Sequence, residues 1–133
     1  MALYKVLKVK DKELKLRLRA QDCVNLESKI GESPLNILMR CSDGKLPTVG
    51  FITATLQCSL QAYHHEYTMQ KTFQLYDDMV DEGKEITDMI GIITEVFEVS
   101  GFLKMEKTEE EMEKEQEITQ EKEMEQEETK IVV

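Results

Sequence analysis

Residues 87–103 read TDMIGIITEVFEVSGFL and form the last strongly apolar run before an acidic C-terminal end. Apolar residues recur through this run, and from one residue before it, at steps of three and four: Ile86, Met89, Ile90, Ile93, Val96 and Phe97. This spacing gives a helix one apolar face that needs burial. We expect Thr87 to be the N-cap, Asp88 to suit the positive end of the helix dipole, and Ser100-Gly101 to end the helix. The pattern predicts the principal core helix of the chain.

Two short helices are predicted upstream from their capping residues. Asp22 can cap a helix that Gly31 ends, because glycine readily adopts the left-handed conformation at a helix C-terminus. Ser33-Pro34 then has the usual order of a helix start, with the cap residue first and the proline in the first turn. Leu35, Leu38 and Met39 are the expected apolar side of this second helix.

Two longer helices are predicted between these and the core helix. Pro47-Thr48 opens one of them, and its apolar residues keep helical spacing: Val49, Ile52, Leu56, Leu60 and Tyr63. Thr68 caps the other, and Gly83 is its expected stop. The predicted apolar side of this last helix is Phe73, Tyr76, Met79 and Val80.

The N-terminal residues 3–19 alternate between apolar and cationic side chains. Leucines at 14, 16 and 18 interleave with Lys15, Arg17 and Arg19, as on a strand with one buried face. A second strand is predicted over residues 3–9, with Asp11-Lys12 between the two as a hairpin turn. The cationic face could bind phosphate, but a solvated face that protects an edge strand is the more common role.

Charge divides the chain into unequal parts. The formal net charge is -10, yet residues 1–19 carry seven Lys/Arg against two acids, and residues 104–133 carry twelve Glu against five Lys. The acidic end argues against a nucleic-acid reader, because phosphate contacts dominate such binding. Seven Glu-Glu pairs and two Lys-Glu pairs stand at i,i+4 in this end, which disfavours an isolated helix. We predict that residues 104–133 are disordered or become ordered only on a partner.

The sequence therefore predicts a mainly α fold. A short N-terminal β-hairpin over about residues 3–19 is followed by four or five short packed helices. These make one domain of residues 1–103, followed by the charged, flexible tail of residues 104–133. There is no signal peptide pattern and no long apolar span, and the three cysteines are not closely spaced, so we expect a cytosolic protein without disulfides and without a membrane segment.

No residue pattern predicts catalysis, a cofactor or a metal. Cys23, Cys41, Cys58, His64 and His65 lack the paired ligands that are typical of zinc sites, and no motif surrounds any cysteine as a nucleophile. The acids between residues 77 and 88 lack the alternate-residue spacing of a calcium loop, and we interpret them as a solvated face. Phosphate-loop and dinucleotide fingerprints are also missing. On its residues the chain is not an enzyme, and binding remains as its function.

Three stretches together resemble one known family. They are LQCSLQAYHH at 56–65, LYDDMVDEG at 75–83, and the Thr87-Asp88 to Phe102 region, with further likeness in the hairpin and in KIGESPL at 29–35. This pattern of caps and apolar positions is similar to the tail assembly chaperones of long-tailed phages of Gram-positive bacteria, of the lactococcal phage type. The resemblance covers residues 1–103 and leaves out the tail.

The resemblance implies a non-catalytic protein of the host cell cytoplasm that is missing from the mature virion. Its implied partner is the tape measure protein, which it would keep soluble while the tail tube assembles around it. The major tail protein is a second implied partner, and self-association is expected. Two alternatives remain open, namely a structural tail or head-tail joining protein that stays in the virion, and an acidic inhibitor that mimics DNA.

A tape measure protein exposes long amphipathic helices, and a groove between short helices can hold such a face. We place this groove between the helix of Phe73 and the C-terminal helix. The predicted partner-binding residues are Phe73, Tyr76, Met79, Ile92, Val99 and Phe102. The alternative for these residues is an ordinary place in the core.

Overall fold

An N-terminal hairpin leads into a set of helices in the computed structural model, which describes residues 3–103. Within this range two strands and five helices follow one another: β1 (Lys5–Val9), β2 (Lys12–Leu16), α1 (Ala20–Ile30), α2 (Pro34–Ser42), α3 (Val49–Leu60), α4 (Met69–Asp81) and α5 (Ile86–Val99). The predicted mainly α fold with an N-terminal hairpin is confirmed. The prediction for the tail, residues 104–133, lies outside the described residues.

The hairpin buries one face and exposes the other. β1 and β2 are antiparallel, with Leu7 opposite Leu14, and both leucines are buried. The turn is Lys10-Asp11 rather than the predicted Asp11-Lys12, because Lys12 already pairs with Val9. The backbone N–H of Arg17, just past β2, donates to the Ser59 carbonyl of α3 at 2.9 Å. The sheet is therefore joined to the helices by a backbone hydrogen bond as well as by its apolar face.

The centre of the domain is α3, and the prediction that α5 is its principal core helix is wrong in this respect. Nine of the twelve residues of α3 are buried, and α3 packs against α1, α4, α5 and β2. A helix enclosed on several sides has no polar face, so its hydroxyl residues must be satisfied locally. Thr53 and Thr55 donate to carbonyls four residues earlier, and Ser59 donates to the Leu56 carbonyl.

The predicted helix α5 is present, with a different start. Glu85 is its N-cap rather than Thr87, and the Asp88 carboxylate accepts the Glu85 backbone N–H at 2.8 Å. An acid at the third helical position can reach back to the cap residue in this way, which moves the start two residues upstream of the prediction. The buried face consists of Met89, Ile93, Val96 and Phe97.

Most of the other predicted helix ends are confirmed. Ser33 and Thr68 are N-caps, and Thr48 caps α3 by accepting the Phe51 N–H at 3.0 Å. Gly31 follows α1 with a φ of 75°. Asp22 is not the N-cap of α1. It is the third helical residue, and its carboxylate accepts the backbone N–H of Arg19, which is the true cap residue.

No helix within residues 3–103 combines the length and the apolar character needed to cross a membrane.

Candidate partner-binding site

An apolar stripe runs along α4 and is only partly covered by the rest of the domain. It consists of Met69, Phe73, Tyr76 and Val80, spaced by four, three and four residues, so the four side chains lie on one side of the helix. Phe73 and Val80 are 49% and 48% exposed, and Met69 and Tyr76 are half-buried. We call these four residues the outer α4 stripe.

The outer stripe exists because the apolar arc of α4 is wider than the face it buries. The buried face is Thr72, Leu75 and Met79, which also repeats at steps of three and four and packs on α3. The Thr72 hydroxyl donates to the Thr68 carbonyl at 2.8 Å, so a polar residue can occupy this face. The outer stripe lies about one quarter turn further around the helix. Burial against α3 therefore uses one flank of the apolar arc and leaves the other flank to solvent.

The orientation of α4 is fixed by charged groups on its opposite flank. The Lys10 ammonium lies 3.0 Å from the Asp78 carboxylate, and the Lys10 backbone N–H donates to Glu82. Hydrogen bonds from Lys10 and then from Gln74 hold the pKa of Asp78 below its ordinary value, while the Asp78 carboxylate raises the pKa of Lys10. Asp78 is two residues from both Tyr76 and Val80, which puts it on the far side of the buried face. The hairpin thus anchors one flank of α4, and the outer α4 stripe faces away from this contact.

The six predicted partner-binding residues are divided by the structure. Phe73 is exposed, while Met79 is fully buried in the core and offers no surface to a partner. Helical spacing groups Met79 with Phe73, but Met79 belongs to the flank of the α4 arc that packs on α3. Tyr76 is half-buried and packs against the core.

The other three predicted residues lie at the C-terminal helix and are half-buried. Ile92 and Phe102 pack against the core, and the Phe102 ring meets the buried Phe97 ring edge-on at 6.1 Å. Val99 is also half-buried. β1 packs against both α4 and α5, so the hairpin lies against the two helices that were predicted to border a partner groove. Phe73 is thus the best exposed of the six predicted residues, and with Tyr76 it belongs to the outer α4 stripe, whereas Met69 and Val80 are not among the six.

Three of the acids that the sequence groups between residues 77 and 88 have structural roles. Asp78 and Glu82 bind Lys10, and Asp88 accepts the backbone N–H of Glu85, the N-cap of α5. Over residues 3–103, no group of three His, Cys, Asp or Glu side chains is arranged to hold a metal ion.

The three cysteine thiols differ in their burial. Cys58 is buried, Cys23 and Cys41 are half-buried, and burial is the main cause that raises the pKa of each thiol. A thiol with a raised pKa is less often the reactive thiolate at neutral pH.

Sequence reasoning missed the role of His64. Its Nε2 accepts the backbone N–H of Lys15 at 2.9 Å, and the Lys15 ammonium lies 4.8 Å from the centre of the Tyr4 ring. The Tyr4 and Tyr63 rings meet edge-on at 5.5 Å. The group joins β2 to the end of α3, so His64 takes part in packing. A histidine directly after an apolar helical run is the only sequence signal for this position.

Comparison with known proteins places the chain in a family. A family model described as a Family of unknown function (DUF6096) matches residues 2–128. No curated protein and no solved structure has significant similarity to the chain.

Proposed function

The chain belongs to DUF6096, and we propose that it is a non-catalytic assembly chaperone that binds amphipathic helices of a phage tape measure protein. The observation that carries the proposal is the outer α4 stripe, a partly exposed apolar row beside the flank of α4 that packs on α3. The resemblance of residues 1–103 to tail assembly chaperones supplies the identity of the partner. In this function the chaperone keeps the tape measure protein soluble while the tail tube assembles around it.

The stripe matches the way in which one helix recognises another. Its residues Met69, Phe73, Tyr76 and Val80 extend over twelve residues, or about 16 Å along the helix axis. A partner helix with apolar residues at i, i+3, i+4 and i+7 can place them against such a row. Full burial of one Phe or Val side chain contributes about 1.5–3 kcal/mol. Phe73 and Val80 have about half of that burial still to gain, so the stripe supports reversible binding.

The charge of the chain suits the same role. A net charge of -10 keeps a protein with an exposed apolar row soluble, and it also opposes the aggregation of a loaded complex. A chaperone that must later release its partner benefits from a modest apolar contact within a strongly charged surface.

Co-expression with the tape measure protein encoded nearby tests the proposal. The full chain should bring this partner into the soluble fraction and co-purify with it. A double variant, Phe73→Asp and Val80→Asp, should lose most of this effect while the helical circular dichroism and the urea midpoint stay close to those of the parent. The matched control is Val24→Asp with Met39→Asp, which adds the same charges at two other exposed apolar positions and should leave the rescue intact.

Three results would count against the proposal. An insoluble partner with the full chain removes its main support. Equal loss in the stripe variant and in the control variant shows that added charge, rather than the outer α4 stripe, matters. Recovery of the chain from purified virions by mass analysis favours a structural tail or head-tail joining protein instead.

A further inference from the structure

A second feature of the domain is a cavity between the end of α1, α2 and the start of α3. Its volume is about 460 Å³. Its apolar lining includes the buried Phe51 and the half-buried Ile30 and Ile37. The charged side chains of its lining are exposed and form its rim, namely Lys29, Arg40, Lys45 and Glu32. The cavity therefore offers an apolar interior surrounded by cations.

This concentration of positive charge is unusual for the helical region, residues 20–103. Residues 20–103 contain five Lys/Arg against thirteen Asp/Glu, and three of these five cations lie at this one cavity. Arg40 pairs with Glu32 at 2.6 Å, and the Lys29 ammonium donates to the amide oxygen of Gln57 at 2.7 Å. One carboxylate therefore faces three cations at the rim, which leaves a positive excess. An acidic ligand would be drawn to this point of the helical region, whose other parts are predominantly acidic.

We infer that this cavity is the docking site of residues 109–113 of the same chain, Glu-Glu-Glu-Met-Glu. The Met112 thioether is flexible and suits an irregular apolar interior. The flanking carboxylates can form charge-assisted hydrogen bonds with Arg40, Lys29 and Lys45. The segment is the only run of three consecutive Glu in the sequence, and it lies within the residues that the family model matches. This inference does not depend on the proposed function.

The chain can reach the cavity from its own end. The Leu18 backbone N–H donates to Ser100 Oγ at 2.9 Å, so the end of α5 lies beside the start of α1. The cavity is at the other end of α1, and eleven helical residues span about 16 Å. Met112 follows Leu103 by nine residues, which cover up to about 30 Å when extended. A segment starting at Leu103 is therefore long enough to place Met112 in the cavity of the same subunit.

The basic hairpin is a weaker destination for the same segment. Lys5 pairs with Glu95 at 2.5 Å, Lys10 pairs with Asp78, and Arg19 pairs with Asp22 at 2.8 Å. These contacts use three of the seven cations of residues 1–19 to hold the helices. The hairpin also offers its charge on an exposed strand face, whereas the cavity adds an apolar interior for Met112.

Zero-length carbodiimide cross-linking of the full chain tests the inference, because it joins a lysine to a carboxylate only when the two are in direct contact. Peptide mapping should find Lys29 and Lys45 joined to glutamates of residues 109–113 in the monomer band. Lys71 and Lys84, the other two lysines of the helical region, serve as internal controls and should give few such products. A mixture of ¹⁵N-labelled and unlabelled chains should give products of a single isotope type.

Two triple variants sharpen the test. Replacing Glu109, Glu110 and Glu111 by Gln should remove most cross-links to Lys29 and Lys45 and shift the backbone amide signals of Lys45 and Ala54. The same change at Glu121, Glu123 and Glu125 removes equal charge from the tail and should leave both readouts unchanged. Equal products at Lys71 and Lys84, unaltered signals in the first variant, or mixed-isotope products would each overturn docking within one subunit. The last of these outcomes would assign the segment to a neighbouring copy.

Discussion

The Lys10 ammonium contacts the Asp78 carboxylate at 3.0 Å across 68 positions of sequence. This ion pair connects the turn of the hairpin to the flank of α4 that lies opposite the outer stripe. Lys10 also adopts a positive φ of 53°, the only such non-glycine residue in the described part of the chain, and its backbone N–H donates to Glu82. The turn is thus shaped so that one residue holds α4 with both its backbone and its side chain.

This ion pair predicts a dependence of stability on acid. The pKa of Asp78 is lowered in the folded state, chiefly by the hydrogen bond from Lys10. Its contribution is therefore fully present above the unfolded-state pKa of about 4 and is lost as the pH falls through the lower folded-state pKa. Asp78→Asn should be less stable than the parent at pH 7, and the difference should shrink in strong acid. Urea unfolding at both pH values measures this.

The control for that experiment is Asp77→Asn, which removes the same charge at an exposed neighbouring position. It should have a smaller effect at pH 7. A gap between the Asp78 variant and the parent that stays constant down to pH values well below 4 would contradict the predicted linkage.

A pair of methionine substitutions distinguishes a buried position from an exposed one. Met79→Ala should lower the free energy of unfolding by about 2–5 kcal/mol, because it leaves a cavity at a fully buried position between α4 and α3. Met39→Ala makes the same chemical change at a side chain that is 68% exposed and should cost less than about 0.5 kcal/mol. Equilibrium denaturation measures both. Similar losses in the two variants would mean that Met79 does not lie in the core.

Two glycine substitutions should change the stability of the domain in opposite directions. Gly31→Ala should destabilise the domain by about 1 kcal/mol or more, because residue 31 ends α1 with a φ of 75°, where a Cβ is unfavourable. Gly91→Ala should stabilise it by about 0.5–1 kcal/mol, since Gly91 is inside α5 and an added Cβ meets no atom within 4 Å. Thermal unfolding of the two variants should shift in opposite directions from that of the parent. Shifts of the same sign would refute one of these backbone assignments.

The cysteines should react in order of their burial. Burial raises the pKa of each thiol, and Cys58 is only 2% exposed. Iodoacetamide should therefore modify Cys23 and Cys41 slowly at pH 7.5 and Cys58 more slowly still, with Cys58 accelerated most by urea. Mass spectrometry of tryptic peptides gives the three rates. Modification of Cys58 as fast as Cys41 in native buffer would show that α3 opens more readily than its burial indicates.

The helix boundaries illustrate how local chemistry carries the prediction. Thr48 and Thr68 accept a backbone N–H of the next turn with their own side chains, and the order of serine before proline marks the start of α2 at Ser33, so each of these starts depends only on neighbouring residues. Asp22 is predicted as the N-cap of α1 and Thr87 as the N-cap of α5, whereas the caps are Arg19 and Glu85, since an acid at the third helical position can reach back to the cap residue. Both choices satisfy a backbone N–H, and the residues beside them do not distinguish the two.

The candidate site was harder to predict, as Met79 and Phe73 demonstrate. Both belong to the apolar arc of α4, and helical spacing groups them together. The structure buries Met79 against α3 and leaves Phe73 to solvent. An arc wider than one contact face does not specify which flank will be covered, because this depends on a neighbour that is distant in sequence.

By itself the sequence determined the N-terminal hairpin, the five helices and most of their ends, because periodicity, caps and turn residues act over only a few positions. Tertiary structure alone decided that α3 is the centre, that the outer α4 stripe remains exposed, and that Lys29, Arg40 and Lys45 surround one cavity. Each of these results follows from contacts between elements far apart in the chain. Such contacts depend on which faces fit together, and a pattern read along one element does not contain that information.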